Sequence, residues 1–214
     1  MTRNKTGYKD GDKMALKAVG INKKFGGNTV IQNFSHEFTD GSFTCIMGAS
    51  GCGKTTLMNM LLGVLSPDSG TVTGNDVRMS AVFQENRLCE NLSVLSNLRL
   101  VMHGKPDRAI IETELEAVGL SGIADKPVRE LSGGMKRRTA LLRALLAEYE
   151  ILFLDEPFKG LDDATKQTVM EYCKQKTAGR TVILITHDKS EAAFFGGETI
   201  IIEGTSKNRF VKRK

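Results

Sequence analysis

Gly48-Ala-Ser-Gly-Cys-Gly-Lys-Thr55 is the stretch that decides the fold. It fits G-x-x-x-x-G-K-[ST]. The apolar run Ser42 to Met47 leads into it as a strand, and a helix is expected from about Thr55 to Gly63. Glycines let successive backbone N–H groups wrap an anion, and the following helix aims its positive end at the same point. Gly48, Ala49, Ser50, Gly51, Cys52 and Gly53 are therefore expected to cradle phosphates. Lys54 is expected to reach the β- and γ-phosphates, Thr55 to ligate Mg²⁺, and Thr56 to add a phosphate contact. Cys52 fills a free position of the motif, which argues against a catalytic thiol.

Two further stretches belong with this loop. Ile151-Leu-Phe-Leu-Asp155-Glu156-Pro157 is an apolar run ending in two acids. A buried parallel strand brings its C-terminal end to the ligand crevice. There Asp155 is expected in the Mg²⁺ shell, with Glu156 taking a proton from an attacking water. Alone, the pair reads equally well as a strand end with solvated acids. The second stretch, Leu131-Ser-Gly-Gly-Met135, opens a helix whose apolar face is Leu141, Leu142, Leu145 and Leu146. Ser132 suits the N-cap. With Gly133 and Gly134 it makes a second glycine-rich helix N-terminus, which alone is most simply a flexible cap.

The rest of the chain supplies the frame. Leu16 to Ile21 and Thr29 to Phe38 read as strands, Pro67 to Gly70 as a turn, Gly70 to Val77 as a short hairpin, and Met79 to Gln84 as a strand. From Glu85 to about Glu148 the period becomes helical, through Val94 to Val101, Asp107 to Val118 and Met135 to Leu146. Ile151 to Leu154 and Thr181 to Thr186 are short continuous apolar runs of the kind buried on both faces of a parallel sheet, with a helix from Ala164 to Lys176 between them. The expected fold is α/β: a P-loop NTPase core with a mainly parallel sheet, an N-terminal antiparallel β subdomain, and an α-helical subdomain inserted at about 85–148. All of it fits one domain over 1–214.

Composition is ordinary for a soluble globular chain of 214 residues, 40% hydrophobic and 26% charged. Nothing approaches the roughly 18 consecutive apolar residues of a bilayer span. Met1 to Lys13 is polar and reads as a loose extension, with Met14 a second candidate start. Cys45, Cys52, Cys89 and Cys173 have no metal-ligand or redox spacing and read as free thiols. The net charge of +5 gathers at the ends, in residues such as Arg3, Lys5, Lys207, Arg209, Lys212, Arg213 and Lys214, and reads as solvated tails.

With the loop, the Ser-Gly-Gly helix and the acidic strand in this order, the chain resembles the nucleotide-binding subunit of an ABC transporter. The likeness runs from Phe25 to His187. It implies ATP and Mg²⁺ as cofactors. It also implies a head-to-tail dimer with a second copy, in which Ser132, Gly133 and Gly134 face the γ-phosphate held by the partner. Phe25 resembles the aromatic that stacks on adenine; a core phenylalanine is the alternative. Gln84 resembles the glutamine joining core to helical lobe, within reach of Mg²⁺ or the attacking water. His187 resembles the switch histidine, and Asp162 the aspartate of the loop crossing the dimer interface. Two departures stand out. Met135 replaces the glutamine after Gly-Gly, and Lys159-Gly160 precede Leu161-Asp162 where the family often has Ser-Ala.

Phe83-Gln-Glu-Asn-Arg-Leu88, Ser132-Gly-Gly-Met-Lys-Arg-Arg138 and Asp155-Glu-Pro-Phe158 resemble importers of the nitrate, sulfonate and taurine type. That likeness implies membrane permease subunits as partners and, indirectly, a solute-binding protein. The subunit would then be cytoplasmic, peripheral on the inner face of the cell membrane. Leu88, Leu92, Val94 and Leu95 are candidates for a permease-facing groove, and equally for helical core. Two other readings stay open: a soluble ATPase of the family acting on nucleic acid or ribosomes, and an exporter or lipoprotein-release subunit. No nucleic-acid-reading motif accompanies the basic ends.

Overall fold

The computed structural model describes residues 15–104, 106–203 and 209–213, the last only as backbone. The Met1 to Lys13 extension, Lys207 and Lys214 lie outside the described residues.

Two sheets organise the chain. In the first, β1 (Lys17–Phe25) and β2 (Asn28–Glu37) form an antiparallel hairpin. Its turn is Gly26-Gly27, both at positive φ (54° and 83°), which glycine alone adopts without strain. β4 (Ser69–Thr73) pairs antiparallel with the other side of β1, giving the order β2-β1-β4. The hairpin expected over Gly70 to Val77 is therefore corrected to one strand whose partner is β1. The reason is close approach at Gly70: a Cβ there would lie 2.4 Å from the Gly20 carbonyl oxygen. Gly74, at φ 76°, then turns the chain away.

The second sheet has the order β5-β6-β7-β3-β8-β9. Here β3 is Phe43–Gly48, β5 Met79–Val82, β6 Ile151–Asp155, β7 Thr181–Thr186, β8 Glu198–Glu203 and β9 Arg209–Arg213. The first five strands of that order are parallel and β9 is an antiparallel edge. The basic end read as a solvated tail is thus, at Arg209–Arg213, a backbone-paired edge strand. β5 stops at Val82, short of the expected Gln84, because the carbonyls of Phe83 and Gln84 accept from the Arg137 guanidinium instead of a neighbouring strand.

Strand periodicity builds the two layers around this sheet. Leu152, Leu154, Val182 and Leu184 pack on one face, while Ile151, Phe153, Ile183 and Ile185 pack on the other. The first face meets α2 (Val94–Arg99), α3 (Arg108–Ala117), α4 (Gly133–Leu146) and α5 (Asp163–Lys176). The second meets α1 (Lys54–Leu61) and the antiparallel sheet, through Leu57, Met58, Leu61, Ile21, Ile31 and Phe34. Every residue of β6 and β7 is buried, so each large apolar side chain there contributes roughly 1.5–3 kcal/mol. A last helix, α6 (Lys189–Phe195), connects β7 to β8. Among the described residues, no helix is long and apolar enough to cross a membrane.

Candidate functional site

The parallel strands β3, β6 and β7 end along one edge of the sheet, and the motif residues collect there. The loop after β3 is shaped by glycines at Gly51 (φ 77°) and Gly53 (φ 99°). Gly53 caps α1 while packed against β2, so that a Cβ on it would stand 2.9 Å from Val30 Cγ1. Lys54 is only 7% exposed, and its Nζ donates to the carbonyls of Gly48 and Ala49 at 2.8 Å each. The ammonium therefore sits under the loop, with Cys52 Sγ at 3.9 Å.

Thr55 and Asp155 meet across this edge. The Thr55 hydroxyl donates to Asp155 Oδ2 at 2.8 Å. Burial raises the Asp155 carboxyl above its ordinary value, opposed by the Thr55 hydrogen bond and reinforced by the Glu156 charge. A hydroxyl beside a buried carboxylate is a hard-oxygen donor set, which fits Mg²⁺. The cleft above them has a volume of about 340 Å³ and is lined by Ser50, Gly51, Gly53, Lys54, Thr55, Thr56, Gln84, Asp155 and Glu156, with Val30 at its side.

Glu156 is held in an unusual backbone state. Its φ is 47°, a left-handed conformation that costs a non-glycine residue about 1–3 kcal/mol. Its N–H donates to the Ile185 carbonyl at 2.9 Å, and its own carbonyl accepts from Arg137. The side chain is bound at both oxygens: Oε1 lies 3.0 Å from His187 Nδ1, and Oε2 accepts from Lys159 Nζ at 2.8 Å. Burial pushes this carboxyl up, but the hydrogen bonds from Lys159 and His187 outweigh it and leave the group below its ordinary value.

The other expected residues lie elsewhere in the same chain. Phe25 is 49% exposed beside the β1–β2 turn. Ser132 is exposed and caps α4, its Oγ accepting from the Met135 N–H at 3.3 Å. Gly133 and Gly134 form the first turn of α4. Asp162 caps α5 through the Thr165 N–H at 3.0 Å. None of these lines the cleft above Lys54. The four cysteines are free; burial pushes the Cys45 and Cys173 thiols up to about 12, so neither is a thiolate near neutral pH. Among the described residues, no group of three or more histidine, cysteine or carboxylate side chains is placed to hold a metal ion.

Arg137 is the residue that sequence reasoning missed. It is buried in α4 at 5% exposure, and its guanidinium donates to the carbonyls of Phe83, Gln84, Asp155 and Glu156 and to Asn86 Oδ1. One side chain thereby ties the helix that begins at Ser132 to the ends of β5 and β6. Its only sequence signal was a charge in the helix one turn before Leu141.

A glycine loop closed over a lysine, a buried hydroxyl–carboxylate pair and a carboxylate–imidazole pair, all at one end of a parallel sheet, define a P-loop nucleotide-binding protein. The family model described as ABC transporter matches residues 31–159. The chain is similar to the taurine import ATP-binding protein TauB of Yersinia pestis bv. Antiqua, with 33% identity covering 87% of this chain and 79% of the relative. It is similar to the aliphatic sulfonates import ATP-binding protein SsuB 1 of Shouchella clausii, with 36% identity covering 90% and 79%. The dimeric structure of MJ0796, a bacterial ABC transporter cassette, superposes with a TM-score of 0.76 at 27% identity, covering 88% of this chain and 94% of that one. The same cassette in a post-hydrolysis state bound to ADP and Pi also gives 0.76. The chain belongs to the ABC transporter family, as one of its ATP-binding, ATP-hydrolysing cassettes.

Proposed function

We propose that this chain hydrolyses ATP, as a Mg²⁺-dependent reaction, to energise an importer of small sulfonate-type organic anions. The observation that carries the hydrolytic part is the meeting at one sheet edge of Lys54, the Thr55–Asp155 pair and the Glu156–His187 pair. The sulfonate assignment is supported by the names of the taurine and aliphatic-sulfonate relatives.

In this reading the loop amides from Gly48 to Gly53 and the α1 N-terminus bind the phosphates of ATP. Lys54 exchanges its two carbonyl partners for phosphate oxygens. Thr55 and Asp155, with Gln84, would hold Mg²⁺, which when bound would neutralise phosphate charge. Phe25 stacks on the adenine. Glu156 orients the attacking water and accepts its proton through the carboxylate lone pairs that His187 and Lys159 leave open. His187 keeps Nε2 for the γ-phosphate while Nδ1 faces Glu156. Arg137 holds the backbone of Gln84, Asp155 and Glu156 in register.

Ser132, Gly133, Gly134 and Asp162 lie away from this cleft and act across the interface of a head-to-tail dimer, on the ATP of the other copy. The dimeric cassette neighbour supports that arrangement. Membrane permease subunits would carry the solute, fed by a solute-binding protein, with this chain on the cytoplasmic face of the membrane.

The test is the mass in solution of the Glu156→Gln variant with and without Mg-ATP. A monomer that becomes a dimer only with Mg-ATP is expected. A variant that turns over ATP like the parent would refute the assignment of the base. Neighbouring genes that encode repair or translation proteins, with no permease or binding protein among them, would count against the importer.

A further inference from the structure

The residues on either side of His187 are tied into a charged network that the reading above does not use. Thr186 ends β7, and its hydroxyl donates to Glu191 Oε2 at 2.6 Å while accepting from the Asp188 N–H at 3.0 Å. Asp188 caps α6, its Oδ1 accepting from the N–H and hydroxyl of Ser190. The remaining oxygens of the two carboxylates converge on one cation from another helix. Lys166 Nζ, in the first turn of α5, lies 2.6 Å from Asp188 Oδ2 and 2.7 Å from Glu191 Oε1. The Glu191 side chain is 6% exposed and that of Lys166 19%. Lys166, Thr186, Asp188 and Glu191 line a recess of about 210 Å³ together with Glu156, Lys159 and His187.

We infer that Lys166 is a positioning residue for ATP hydrolysis: by balancing Asp188 and Glu191 it fixes the turn that aims the His187 imidazole at Glu156. The inference rests on the role given to His187 above. Its physical basis is charge balance in a poorly hydrated place. Without the ammonium, two carboxylates on one turn of α6 face each other, and Glu191 becomes an uncompensated buried anion. The cheapest relief is for the first turn of α6 to swing out, and residues 186–188 move with it. The His187 ring is itself 63% exposed and meets Glu156 at 3.0 Å, so its direction depends on the backbone turn that carries it.

The experiment is steady-state ATPase kinetics on the full chain carrying Lys166→Met, Lys166→Arg, His187→Ala and the Lys166→Met/His187→Ala pair. Circular dichroism checks the fold of each variant. Lys166→Met is expected to lower kcat about 10- to 100-fold, the scale of an ångström-level misplacement. KM for Mg-ATP should stay within about twofold, because the phosphate loop is untouched. Lys166→Arg should recover kcat to within about threefold, since a guanidinium also bridges two carboxylates. The double variant should be within about twofold of His187→Ala alone, because a residue acting only through His187 has nothing left to position.

A Lys166→Met variant with parental kcat overturns the inference. So does a double variant slower than His187→Ala by the full single-variant factor, which is the signature of general loosening. If Lys166→Met does not fold, Thr186→Val cuts the other arm of the network; a folded Thr186→Val with parental kcat overturns the inference as well. A His187→Ala variant with parental turnover would instead remove the underlying role of His187. That outcome is distinct from a slow His187→Ala beside a fast Lys166→Met, which sinks the inference alone.

Discussion

Replacing Arg137 with methionine keeps the helix propensity and most of the length of the side chain but deletes a charged donor that serves five acceptors. Hydrogen bonds from a charged group are worth about 1.5–3 kcal/mol each. A plain sum overstates the loss, because the guanidinium is desolvated and its Nε has no partner among the described residues. The analogous removal of one partner from a buried charged pair costs about 3–5 kcal/mol, and that range is expected for Arg137→Met. For a chain of this size, about 2–4 °C is lost per kcal/mol, so Tm should fall by roughly 6–20 °C. Urea unfolding, followed by a probe of secondary structure, reads the loss as a lower midpoint at constant slope. Arg137→Lys should recover less than half of it, because a single ammonium cannot span the carbonyls of two strand ends. A loss below about 1 kcal/mol in Arg137→Met would refute the reasoning. The carbonyls of Phe83, Gln84, Asp155 and Glu156 would then have to find other donors at no cost.

The remaining predictions concern the site. Glu156→Gln should lower kcat about 10²- to 10⁴-fold with ATP still bound, read by single-turnover hydrolysis and retention of labelled nucleotide. Lys159→Gly should speed turnover, by about fivefold at most: it frees Glu156 Oε2 from an ion pair whose lysine is 54% exposed, and such pairs are worth at most about 1 kcal/mol. A slower Lys159→Gly enzyme would mean that the lysine assists the reaction. Gly53→Ala should abolish nucleotide binding, measured by fluorescence titration with a labelled analogue, since its Cβ meets Val30 and its φ of 99° is strained. Removing divalent cations with a chelator should stop hydrolysis, and added Mg²⁺ should restore it; Asp155→Asn should raise the Mg²⁺ concentration needed.

Local chemistry was readable from the chain because it is written in contiguous residues. A glycine loop, an apolar run ending in two acids and a Ser-Gly-Gly helix start each declare their geometry within about ten residues, through glycine's freedom, strand burial and N-capping. The continuous apolar runs in Ile151 to Asp155 and Thr181 to Thr186 likewise carry their own information about burial on both faces. Pairing across sequence distance was not readable. β4 looked like half of a hairpin because its real partner, β1, lies some fifty residues away and the contact depends on Gly70 meeting Gly20. β9 looked like a charged tail because its composition is dominated by side chains, whereas its backbone bonds to β8. The partners of Arg137, Lys159 and Lys166 were unreadable for the same reason: a cation's partner is chosen by the fold. The sequence by itself therefore determined which groups are the candidates to bind phosphate and activate water. Tertiary structure alone decided which carbonyls Arg137 gathers, which oxygen of Glu156 meets His187 and which lysine lies between Asp188 and Glu191, because those distances exist only after distant strands and helices have packed.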